Sequence, residues 1–212
     1  MTADTVSRRS VLKQLALAAT AAGGGVFNLD AARVVHALAG EARTQPGGYV
    51  PQALTGGEYA TVVRLAELIV PADEGGGSGV DAGAPEFIDL LCSQNDELAD
   101  IYQGGVAWCD ATMRRYVGVR FLGASSEQQV ALLDALVEAE RGGRLAAGEG
   151  FDFGDLRHGV RFFDWIRRMT VDAYYTSPIG IADLQYRGNE VLDRYVVPAD
   201  AMAFINLRIE EM

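Results

Sequence analysis

The chain has 212 residues, of which 49% are apolar, and its 18 basic against 29 acidic residues give a formal charge of −11. That apolar share suits a globular chain with one core rather than a disordered one. The acidity repels phosphate backbones and anionic membrane surfaces, which argues against a nucleic-acid binder.

In chain order the first element is Ser7-Arg8-Arg9-Ser10-Val11-Leu12-Lys13, followed by a weakly apolar, Ala/Gly-rich run from Leu15 to Leu29. Twin arginines before such a run resemble a twin-arginine export signal, which is read by a translocase that passes folded proteins. With Gly23-Gly24-Gly25 in it, the run is too poor in large apolar groups for a spanning helix of about 20 residues. Ala37-Leu38-Ala39 supplies a small-x-small pattern, so the expected signal covers residues 1–39, cut after Ala39, with an uncleaved, membrane-held N-terminus as the alternative. Four basic and two acidic residues lie in 1–39, so the remainder would carry −13 and no lysine, because Lys13 is the only one in the chain. Its single histidine would be His158. A Schiff-base lysine, a P-loop lysine and a multi-histidine metal cluster are thereby excluded.

Residues 40–54 read as an irregular leader and 55–212 as one helical domain. Thr55-Gly56-Gly57-Glu58 is a capping box opening a helix that Pro71 stops. Asp73 to Gly83 is a Gly-rich loop with no preceding strand and no following lysine, hence a surface connection and not a phosphate cradle. Pro85 opens a short helix with Phe87, Ile88, Leu90 and Leu91. A longer one follows from Asp96 to Val117, its apolar face at Leu98, Ile101, Tyr102, Val106, Cys109 and Met113. Ser125-Ser126-Glu127-Gln128 is a second capping box, and Gly142-Gly143 close that helix. The last long helix spans Asp155 to Tyr175. From Asp172 to Asn189 periodicity is absent and aromatic, Pro, Gly and hydroxyl residues crowd together. Val191 to Val197 fits a strand or a helix. The fold class is mainly α, a single-domain bundle of about five helices with a long irregular C-terminal segment.

Candidate chemistry is thin. Ser-His-Asp catalysis needs a positioned histidine base, and His158 sits between Arg157 and Gly159 on a helix. No Gly-x-Gly-x-x-Gly follows a strand, and no C-x-x-C-H attaches a c-type haem. Cys92 and Cys109, the only cysteines, fit either an inter-helix disulfide in an oxidising compartment or two buried free thiols. The segment Tyr174-Tyr175-Thr176-Ser177-Pro178-Ile179 suits a docking surface, with Tyr174, Tyr175, Ser177, Pro178 and Ile179 as its contact residues, or a loop closing on the domain's own core.

Three stretches carry a family resemblance: Leu65-Ala66-Glu67-Leu68-Ile69-Val70-Pro71-Ala72-Asp73, Gly83-Ala84-Pro85-Glu86-Phe87-Ile88-Asp89, and Tyr174 to Ile181 followed by Tyr186-Arg187-Gly188-Asn189. Together they resemble the gluconate 2-dehydrogenase subunit 3 family over roughly Leu54 to Pro198. The chain departs from the family in its longer Gly-rich loop and in residues 199–212. The resemblance implies a non-catalytic small subunit, without a cofactor of its own, at the periplasmic face of the inner membrane. Its implied partner is a large FAD-dependent subunit of the glucose-methanol-choline class, often accompanied by a multihaem cytochrome c. That flavoprotein lacks an export signal, and the small subunit escorts it through Arg8-Arg9 and helps it mature. The contrasting expectation is a free-standing exported enzyme or binding domain using carboxylates.

Overall fold

The computed structural model describes residues 29–141, 153–185 and 197–210, and its elements are all helical. The order is α1 (Leu29–Arg43), α2 (Gly56–Ile69), α3 (Ala84–Cys92), α4 (Asp96–Tyr116), a 3-10 turn (Phe121–Gly123), α5 (Ser126–Glu140), α6 (Arg157–Thr176), α7 (Pro178–Asp183) and α8 (Ala199–Glu210). Both capping boxes form as their chemistry requires. Thr55 accepts from the Glu58 amide while Glu58 reaches back to the Thr55 amide, and Ser125 and Gln128 do the same. Asn95 caps α4 through the Leu98 amide at 3.2 Å. Each cap satisfies donors that the first turn leaves orphaned.

α6 is the central element, packing on α2, α3, α4, α5 and α7. Its inner face is Phe162, Phe163, Trp165, Ile166, Met169 and Ala173, all buried. The crossing of α4 with α6 is close because glycine and ring alternate across it. A Cβ on Gly105 would strike the Phe162 ring, and one on Gly159 would strike the Trp108 ring. Tyr102 meets Phe162 edge-on at 5.9 Å, with the two planes at 89°.

Two sequence expectations change. The stretch after Tyr175, expected to be irregular, is helical as far as Asp183 apart from the break at Ser177. Ser177 donates to the Tyr174 carbonyl at 2.7 Å and accepts from the Gly180 amide at 3.0 Å, ending α6 and capping α7, whose first residue is Pro178. Six residues are too few to show a 3.6 period, which is why the segment reads as aperiodic. In addition, α1 runs unbroken through Ala37-Leu38-Ala39 and into the expected leader as far as Arg43. Ala32, Val35 and Ala39 are 0, 0 and 2% exposed and belong to the main core. The strand-or-helix stretch 191–196 lies outside the described residues. α8 carries Phe204, Leu207 and Ile209 more than half exposed. Among the described residues, no helix is long and apolar enough to cross a membrane.

Residues 44–54 do form a non-helical strap, and it is fixed by one carboxylate. Asp89, fully buried in α3, accepts from the amides of Gln52 (2.6 Å), Ala53 (3.1 Å) and Leu54 (2.9 Å) and from the Tyr49 hydroxyl (2.6 Å). Tyr49 stacks on Tyr59 of α2 at 5.4 Å.

Candidate functional site

A cleft of about 550 Å³ opens between α1, the turn before α3 and the α6–α7 junction. Its walls are Arg33, His36, Ala37, Gly40 and Arg43 from α1, Asp81 to Gly83 from the turn, and Thr176 to Ile179 with Ile181 opposite. The turn is built locally. Ser78 donates its amide (2.8 Å) and hydroxyl (2.7 Å) to Asp81 Oδ2, and the Asp81 amide returns to Ser78 Oγ at 3.1 Å. Those hydrogen bonds hold the Asp81 carboxyl below the usual carboxylate range. Gly83 then takes φ +82°, a left-handed conformation that L side chains rarely adopt, and α3 begins.

Arg43 ties the end of α1 to this turn. Its Nε lies 3.2 Å from Glu86 Oε1, and its terminal nitrogens donate to the Asp81 and Val80 carbonyls at 3.4 Å. On the other side, His36 Nε2 lies 3.0 Å from Thr176 Oγ1, while its ring packs 4.9 Å from Phe87. Burial lowers the His36 pKa to about 4, opposed in part by a hydrogen bond to the Ala173 carbonyl. The imidazole is therefore neutral near pH 7 and a weak base. The Thr176 hydroxyl donates to the Asp172 carbonyl at 2.6 Å, so its own proton is committed elsewhere. This pair fastens α1 to the end of α6.

The predicted docking residues separate into two groups here. Tyr174 and Ser177 are buried; Tyr174 bonds Asp183 Oδ2 at 3.2 Å, and Ser177 forms the cap. Tyr175 is exposed, Pro178 is exposed and Ile179 is half-buried, the last two on the cleft wall. Ala37 is exposed on the cleft and Ala39 buried beneath it, and Arg8 and Arg9 lie outside the described residues. His36, the residue that seats α1, was not among the predicted site residues because it falls within the expected signal. The signal that could have found the helix is Ala32, Val35 and Ala39 at i, i+3 and i+7, one helical face.

Cys92 and Cys109 are both buried free thiols in the structure. Burial pushes the Cys109 thiol up to about 12 and that of Cys92 higher still, so neither is a nucleophile near neutral pH. His158 borders a second, shallower groove of about 350 Å³ with Glu97, Asp100, Trp108 and Arg161. Among the described residues, no group of three or more His, Cys, Asp or Glu side chains could hold a metal ion.

The model of gluconate 2-dehydrogenase subunit 3 matches residues 57–192, well over half of the chain. The chain belongs to that family. The family name implies association with other subunits of a gluconate dehydrogenase complex. No curated protein and no solved structure matches the chain. The family match takes in the turn before α3 and the α6–α7 junction, two walls of the cleft. The third wall, α1, precedes it.

Proposed function

We propose that this chain is the non-catalytic small subunit of a periplasmic FAD-dependent sugar or polyol dehydrogenase of the glucose-methanol-choline class. It escorts the signal-less flavoprotein through twin-arginine export on Arg8-Arg9 and supports its maturation. FAD belongs to that partner and haem c to a multihaem cytochrome subunit, with no cofactor in this chain. The complex sits at the periplasmic face of the inner membrane. The observation that carries this reading is the family match over 57–192. The cleft supports it, because a neutral imidazole, an internally bonded hydroxyl and apolar walls at Ala37, Pro178 and Ile179 suit contact with a partner chain.

Co-expression with the flavoprotein tests it. Arg8-Arg9→Lys-Lys should leave the flavoprotein in the cytoplasm, with periplasmic dye-linked dehydrogenase activity falling at least about tenfold. Full export of the flavoprotein beside this variant would refute escorting. Flavin absorbance and turnover by the small subunit purified alone would refute its non-catalytic role.

A further inference from the structure

The helix that forms one wall of the cleft also contains the expected cleavage site. We infer that the processed protein begins upstream of Leu29, and that Ala37-Leu38-Ala39 is a structural segment and not a processing site. The inference rests on the export reading above and on four observations about α1.

The helix is continuous from Leu29 to Arg43, so the peptide bond after Ala39 lies inside hydrogen-bonded backbone. Proteases act on exposed backbone that can extend into their active sites, and a docked helix offers neither property. The inner face of α1 is sealed, with Ala32 and Val35 at 0% exposure and Ala39 at 2%. Its polar anchors lie on both sides of the bond in question. His36 holds Thr176 at 3.0 Å before it, and Arg43 holds Glu86 at 3.2 Å after it. A cut after Ala39 would remove Arg33, His36 and Ala37 from the cleft and uncover the ring of Phe87, itself 0% exposed.

The order of events makes the burial matter. A twin-arginine substrate folds before it crosses the membrane, so α1 is docked when the chain meets the processing peptidase. Opening a segment packed into the main core draws on much of the global stability, so fewer than about one chain in a hundred would present the site at any moment. A small-x-small pattern at the end of an Ala-rich leader is also what a helix needs to lie close against a neighbour. The same three residues therefore satisfy both descriptions, and packing decides between them.

The full-length chain, produced with its partner and recovered from the periplasm as the complex, provides the reading through its intact mass and N-terminal peptide. The expected result is a chain that retains residues 29–39. A complex whose small subunit starts at Gly40 would overturn the inference. The purified full chain is incubated in parallel with the leader-processing peptidase in detergent, so that a failure of export, which would refute the previous section, leaves this test intact. In that arm Val35→Asp, which places a charge in the sealed face, should raise cutting at Gly40 at least about tenfold over the parent chain. Equal resistance of both chains would show that burial is not what protects the site, and the inference would fall.

Discussion

Asp89 offers the sharpest test of how the domain holds its N-terminal strap. Asp89→Ala removes the acceptor of four hydrogen bonds at 2.6–3.1 Å, three of them from consecutive backbone amides. Hydrogen bonds to a charged acceptor contribute about 1.5–3 kcal/mol each, but they do not add, and water can reach orphaned donors near the surface. Gln52 is exposed and Ala53 half-buried, while Leu54 is buried, so one amide is stranded and two can be rehydrated. The Tyr49 hydroxyl also loses its partner, and with it the ring loses its fixed stack on Tyr59. The expected cost is about 3–4 kcal/mol, in the range for removing one side of a buried charged network. With a urea slope of about 2 kcal/mol per molar, the midpoint should fall by about 1.5–2 M. Asp89→Asn keeps one acceptor oxygen but turns an amide donor toward the strap, so it should fall between. Urea titration followed by circular dichroism gives the shift, and limited proteolysis should show new cutting within residues 44–54. A midpoint shift below about 0.5 M for Asp89→Ala would refute the strap as a carboxylate-held element.

Gly105→Ala and Gly159→Ala drive a methyl into Phe162 and Trp108 respectively, and each should cost about 1–3 kcal/mol by thermal denaturation. Ser177→Ala removes the cap between α6 and α7 and should cost about 1 kcal/mol, with faster amide exchange at Gly180. His36 gives a pH signature: its folded pKa is about 4 against 6.5 for the free side chain, so the unfolded state binds the extra proton between those values. Its contribution is fully present above pH 6.5 and is lost as pH falls toward 4. Since the side chain is partly exposed, about 1–2 kcal/mol should disappear between pH 7.5 and 5, and the loss should be absent in His36→Gln.

What could be read from the sequence was what local chemistry dictates. Thr55 with Glu58, Ser125 with Gln128, and Pro85 near a helix start are signals complete within four residues; the two capped helices begin where they say, and the third begins one residue before Pro85, at Ala84. Asp89 gave no such signal, because its partners lie 35–40 residues away and include backbone amides that look alike in any sequence. The cleft was legible on one wall only. Ser177, Pro178 and Ile179 border it, but Tyr174 is buried away from it, and Ser177 is itself buried because the serine that looked like part of a loop is the cap joining two helices. α1 was obscured by an ambiguity of composition, since alanine-rich segments serve equally as leader and as a close-packing helix.

The paired glycines where α4 crosses α6 have a consequence for recognition. Each ring sits in the notch opposite it, so neither helix can rotate or slide without driving a ring into backbone. The central helix therefore reaches any binding event with its orientation already set, and the α6–α7 junction at its end is held in position by a lock well away from it. When a partner closes on that junction, this chain's helices lose little conformational freedom, and the entropy cost of association falls mainly on the partner.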